Sequence, residues 1–338
     1  MENFYRTTPT LDNYWRSVIL FGRNVASYKF ALGKALIELS ENSSEIVKLE
    51  ELAVPFSKYL CEHLTKEDIQ GTSGTSMFLD ACRNYNSGNI SQSTLVEETV
   101  KRGFNNVIDA FHVVGSDPIP IQFYKDERSS LGGIRLTDEI YKLREDEQFT
   151  NLPDEIEARW RLVETAWRLK LPTSTLIVEY DSSSENIITS DHKRTAITRC
   201  RETLNGYQKG YCFYCNRFMK FSEYEVDHFI PWNLSNHTNT FFHQSVNLDG
   251  IWNLVLACKQ CNGPSGKWGD KIPYIESLKK LDARNEYLIT SHHPLREALL
   301  KTGSNPSARR SFLNKVWNEA SNLLHNEFVP EIKKKITL

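Results

Sequence analysis

Nowhere does this chain hold an apolar run near the roughly 18 residues that a membrane-crossing helix needs. Its first residues, Met1-Glu2-Asn3-Phe4-Tyr5-Arg6, lack the apolar stretch and the small-residue cleavage site of a signal peptide, so a cytoplasmic location is expected. Internal repeats and low-complexity segments are missing too. An excess of positive charge is also absent: 41 Lys and Arg stand against 43 Asp and Glu, so net charge alone does not point to a polyanionic partner. Nor is the cysteine count even. Seven cysteines leave one over in any disulfide framework, and in a reducing compartment a cluster of four reads better as metal ligands. Cys61, Cys82 and Cys200 stand apart from that cluster and read as buried thiols.

What remains has the composition of a soluble globular protein, 40% hydrophobic and 25% charged, and a length sufficient for two domains. Charge is unevenly spread. Residues 1–205 carry a net −7, residues 206–275 a net +1 and residues 276–338 a net +4, so a polyanion is expected to meet the C-terminal part.

Apolar residues recur every three to four positions over Leu11–Leu39, and a polar break at 41–45 precedes a second helical stretch to about His63. Met77–Asn84 and Gly88–Phe111, the latter interrupted near Gly103, also read as helices. Ile119–Tyr124 and Gly132–Leu136 read as strands. Asn151-Leu152-Pro153 opens a helix whose stripe is Ile156, Trp160, Val163 and Trp167, a core pattern. Thr175–Tyr180 is a strand candidate followed by a polar turn at 181–186. His192–Leu204 reads as a helix carrying Lys193, Arg194, Arg199 and Arg201. Tyr274–Tyr287 and Arg309–Phe328 read as helices, and Lys333-Lys334-Lys335 as a solvated tail.

Two Cys-x-x-Cys pairs, Cys212/Cys215 and Cys258/Cys261, carry the strongest chemical signal. Each pair lets two sulfurs converge on one ion, and two pairs close a four-coordinate zinc site with no vacant position, which implies a structural ion. The 42 residues between the pairs are long for a zinc ribbon, so something is built inside them. That insert contains Glu225-Val226-Asp227-His228-Phe229-Ile230-Pro231 and then Trp252-Asn253-Leu254. Phe221–Ile230 is strand-like and Pro231 ends it. Side chains on a strand alternate, so Asp227 and His228 serve one substrate only if the strand twists or ends there. A carboxylate suits a hard cation, and a neutral imidazole takes a proton from water near pH 7.

Cys212–Cys215, Asp227-His228-Phe229-Ile230-Pro231, Asn253-Leu254 and Cys258–Cys261-Asn262 together resemble the HNH endonuclease family over about residues 206–272, a fifth of the chain. The resemblance implies a ββα-metal core stapled by zinc. Carried over by position, Asp227 is a metal ligand and His228 the general base. Asn253 holds the base-bearing segment, and Asn262 is a second ligand to a catalytic Mg²⁺ or Mn²⁺ where the family often has His. The basic residue that commonly follows the last ligand is represented by Lys267, a candidate phosphate contact, as are Arg194 and Arg201. Two departures stand out: a long insertion over 233–250 containing His237 and His243, and a Gly263-Pro264-Ser265-Gly266 break in the metal-bearing helix.

The expected fold is α+β and predominantly helical. Residues 1–190 form a mostly helical module for partner binding, self-association or regulation; 191–275 form the zinc-stapled nuclease domain; 276–338 form a helical extension packed on it. The expected activity is hydrolysis of DNA phosphodiesters to 5′-phosphate and 3′-hydroxyl products, in a setting of bacterial restriction or phage defence. Two alternatives stand beside it: a non-catalytic zinc-stapled adaptor, and a nuclease acting on RNA.

Overall fold

The structure, a computed structural model, describes residues 10–21, 25–42, 44–72, 75–114, 117–169, 178–181, 183–189, 196–220, 223–237, 246–268, 271–289 and 294–331. The protein is α+β and predominantly helical, in two compact units. One spans Thr8–Lys170 and the other is built on Leu171–Leu338, so the division falls ahead of the boundary expected at 190/191.

In the first unit, helices α1 (Leu11–Phe21), α2 (Tyr28–Asn42), α3 (Leu49–Leu64), α4 (Met77–Asn86) and α5 (Gln92–Glu98) enclose one apolar core. Trp15, Phe30, Phe56 and Trp160 are fully buried in it, each contributing about 2–3 kcal/mol by leaving water. A small antiparallel sheet covers one side, in the order β1 (Ile46–Lys48), β3 (Gly133–Leu136), β2 (Tyr124–Glu127). Gly133 is required there, since a Cβ would lie 2.1 Å from the Val47 carbonyl oxygen. Strand β2 starts where the expected Ile119–Tyr124 strand was to end. Pro120 removes a ladder donor, and pairing with β3 begins at Tyr124.

After α6 (Asp138–Arg144), α7 (Leu152–Leu169) follows, with Pro153 near its start and Asp154 and Glu155 in its first turn. Its polar edge is buried as well. Glu155 accepts two hydrogen bonds from Arg16, at 2.7 and 2.8 Å. His63 stacks on Trp160 with ring centroids 3.4 Å apart. Its two ring nitrogens meet Glu164 at 2.6 Å and Glu157 at 3.0 Å.

In the second unit, β4 (Val178–Asp181), β5 (Asn186–Thr189) and β6 (Ala196–Arg199) form an antiparallel meander. Residues 196–199 were expected to be helical. Ala196, Thr198 and Arg199 instead pair with β5, with an irregularity at Ile197, and helix α8 begins only at Cys200 and runs to Gln208. The core of the unit is the antiparallel pair β7 (Tyr224–His228) and β8 (Leu254–Cys258), followed by α9 (Lys259–Asn262). Gln208 acts as a substitute third strand beside β8: its side-chain amide donates to the Leu256 carbonyl (2.9 Å) and accepts from the Leu256 N–H (2.7 Å).

Beyond β9 (Ile272–Pro273), helix α10 (Ile275–Ile289) supports the far end of β8. Arg284 is fully buried and donates to the carbonyls of Leu254 (2.5 Å) and Trp252 (3.2 Å). Helices α11 (Pro294–Leu300) and α12 (Pro306–Leu324) follow. The last helix was expected to reach Phe328. It stops because His325 adopts a left-handed conformation (φ 55), after which β10 (Glu327–Phe328) pairs in parallel with β9. Among the described residues, no helix is long and apolar enough to cross a membrane. Lys193, Arg194, His243 and the Lys333–Lys335 run lie outside the described residues.

Candidate active site and zinc centre

The four sulfurs come from two structural devices. Cys212 and Cys215 sit in a tight turn closed by Asn216, whose φ of 58 is one that Asn tolerates better than most residues. Cys258 ends β8 and Cys261 lies on α9. All four sulfurs lie within 4.8 Å of one another and all four residues are buried. Mutual hydrogen bonding ties the four thiols together, pulling Cys215 down to about 7 and lowering Cys258 while raising Cys212 and Cys261. From α10, the Lys280 ammonium donates to the Phe213 carbonyl and, at 2.6 Å, to the Asn216 side chain, holding the first turn in place. Burial pushes Lys280 down to about 8, with the cysteine sulfurs opposing that fall. Four sulfurs and no open position fit a structural zinc ion.

Asp227 and His228 stand next to each other at the end of β7, opposite Val255 and Leu254 of β8. They face different partners, as strand alternation requires. The Asp227 carboxylate is nearly buried. Oδ2 accepts from the Tyr214 hydroxyl at 2.5 Å and Oδ1 from the Lys267 ammonium at 2.9 Å. Burial, with the Asp227 charge beside it, raises the Tyr214 phenol well above its ordinary value, so it donates as a neutral hydroxyl. His228 lies on the other side. Its Nε2 is 2.9 Å from Oδ1 of Asp249, and the Tyr180 ring from β4 sits with its centroid 5.8 Å away.

Asn253 is fully buried and links three backbone groups: it accepts from the Ile230 N–H (2.7 Å) and donates to the carbonyls of Ile230 (3.0 Å) and Leu248 (2.9 Å). The Phe229 N–H also bonds the Asn253 carbonyl at 2.7 Å. The turn immediately after His228 is therefore fixed by one side chain. Asn262 donates its amide N–H to Glu225 at 3.0 Å, and Glu225 shares a face of β7 with Asp227. That hydrogen bond uses the amide nitrogen of Asn262 and not the oxygen, the atom a cation needs. Carboxylate and amide oxygens from Asp227 and Asn262, with Glu225 nearby, suit a hard divalent cation.

Lys267 is placed differently from a phosphate contact. Its residue is 1% exposed, and besides Asp227 it donates to the His228 carbonyl at 2.6 Å. The Gly263–Gly266 break turns it inward. The Lys267 N–H bonds the Cys261 carbonyl at 2.8 Å, and a Cβ at Gly266 would lie 2.2 Å from that same oxygen, so only glycine fits the turn. Arg201, in the first turn of α8, donates to Glu185 at 2.8 Å. Tyr214, Glu225 and Asp249 are the site residues that the sequence reading did not single out. Glu225 was available from the two-residue period of β7. Asp249, near the end of the long insertion, gave no signal.

Residues 212–267 match the family model described as HNH endonuclease. The second unit thus contains an HNH endonuclease domain, stapled by a four-cysteine cluster able to bind zinc. No curated protein and no solved structure matched the chain.

Proposed function

We propose that the chain is a metal-dependent endonuclease that hydrolyses phosphodiester bonds in DNA. The observation that carries this reading is the Asn253 clamp, which sets the Asp-His end of β7 rigidly within the segment that matches the HNH family. His228 takes a proton from water as the water oxygen attacks phosphorus. The P–O3′ bond breaks, leaving a 5′-phosphate, and the departing O3′ is protonated by solvent. Asp227 and Asn262 would hold Mg²⁺ or Mn²⁺, with Glu225 beside them. Such an ion, when bound, neutralises a non-bridging phosphate oxygen and the charge that develops on the leaving oxygen. Cys212, Cys215, Cys258 and Cys261 would hold structural zinc. The net positive charge of residues 276–338 suits a polyanionic substrate.

The N-terminal unit is proposed as a partner-binding, self-association or regulatory module, because its acidic balance disfavours a general DNA clamp. A cytoplasmic effector of restriction or phage defence is the setting the family association suggests. One observation favours a second reading, a zinc-stapled adaptor: the Lys267 ammonium already neutralises Asp227.

The test is cleavage of supercoiled plasmid with Mg²⁺ or Mn²⁺ by wild type and His228→Ala at equal zinc content, with a structured RNA in parallel. Nicking or linearisation lost in the variant is expected. Equal cutting by both removes His228 from its role, and an inert wild type favours the adaptor.

A further inference from the structure

We propose that Asp249 is a positioning residue for His228: its carboxylate fixes the imidazole in the tautomer protonated on Nε2 and so leaves Nδ1 as the basic nitrogen. This rests on the nuclease reading of the same site and goes beyond it, since it assigns a residue and a ring nitrogen to that chemistry.

Three observations carry it. First, the Asp249 Oδ1 to His228 Nε2 distance is 2.9 Å. An ionised carboxylate only accepts, so the proton of that hydrogen bond lies on Nε2. In a neutral ring the remaining lone pair is then on Nδ1. Second, Asp249 is itself held from several sides. Its N–H donates to the Asn247 side chain at 2.9 Å, and its carbonyl accepts from the Tyr180 N–H at 3.0 Å. Its neighbour Leu248 is tied by Asn253 at 2.9 Å, so the residue that clamps the turn after His228 also anchors the loop carrying Asp249.

Third, the holder comes from outside the segment that matches the family. Tyr180 belongs to the β4–β5–β6 meander, and its ring also flanks His228. The meander therefore fixes the backbone of Asp249 and supplies a wall beside the imidazole. A carboxylate placed in this way orients the base before the reaction. It also stabilises the imidazolium that forms once a proton has moved from water to Nδ1.

The experiment joins a spectroscopic and a kinetic readout on the full-length, zinc-loaded chain. Protein labelled with ¹⁵N-histidine is observed by long-range ¹H–¹⁵N correlation, with the His228 signals assigned by their loss in His228→Ala. Wild type is expected to show the Nε2-protonated tautomer, and Asp249→Ala a mixture of both. Asp249→Asn, near-isosteric, is expected to lower kcat on plasmid about 10²- to 10⁴-fold with KM little changed. Asp249→Glu is expected to restore part of that loss. His228 signals identical in wild type and Asp249→Ala would overturn the proposal, as would an unchanged kcat in Asp249→Asn. If wild type cuts nothing, the nuclease reading fails by itself, and the tautomer measurement still decides whether Asp249 sets the ring.

Discussion

The Lys267 ammonium lies 2.9 Å from Oδ1 of Asp227, and the two side chains are 1% and 9% exposed. A buried pair of this kind couples the segment after Cys261 directly to the end of β7. Removing one partner strands the other charge in a poorly hydrated place. Lys267→Met is therefore expected to destabilise the second unit by about 3–5 kcal/mol. Asp227→Asn combined with Lys267→Met is expected to cost less than the sum of the two single changes. Urea denaturation of the four proteins checks this, and additive losses would show that the pair is not coupled.

Zinc is expected to be part of the fold and not an accessory to it. A strong chelator should unfold the second unit, because a bound ion is what would hold four buried sulfurs from two separate turns within 4.8 Å of one another. Cys258→Ser is expected to lose bound zinc and the near-ultraviolet signal of the nearby aromatics Phe213 and Tyr214. The first unit holds no such cluster among the described residues, so its own thermal transition should stay where it is. Metal analysis and calorimetry separate the two transitions.

How much of this could be read from sequence depends on whether a feature is local. The cysteine spacing, the Asp227-His228 pair at a strand end and the helical stripe of Ile156, Trp160 and Val163 are short-range patterns, and the fold keeps each of them. Lys267 was misplaced because its direction depends on a glycine turn that folds its backbone onto Cys261. Asp249 was unreadable because it lies inside the long insertion, 21 positions from its partner. The strand at 196–199 owes its form to pairing with β5, which no helical periodicity could reveal.

In the first unit, acid is expected to act through Glu157. Burial alone would raise its carboxyl, but the hydrogen bond and charge of His63, with Lys34 adding, hold it well below the usual carboxylate value. A depressed folded-state pKa contributes stability above the unfolded value of 4.5, and that stability is lost as pH falls through 4.5 towards the lower folded value. Urea midpoints of the first unit should therefore fall below about pH 5. Glu157→Gln should show a shallower pH dependence over that range. Equal slopes in both proteins would mean that another carboxylate sets the acid limit.

Asn253 separates the structural from the chemical consequences of disturbing the site. Asn253→Ala leaves the Ile230 N–H and the carbonyls of Ile230 and Leu248 without their partner in a fully buried place. Each unmet group costs about 1–3 kcal/mol, so the loss in stability should be several kcal/mol. Asn253→Asp keeps the acceptor for the Ile230 N–H but not the two donors, and places a charge against two carbonyl oxygens, so it should be no milder. The loop of Asp249 is anchored through the same amide, and His228 should therefore lose its orientation along with the turn. Cleavage measured well below each variant's unfolding temperature should fall further than the folded fraction does. A fall that merely tracks the folded fraction would reduce Asn253 to a structural clamp with no hold on the base.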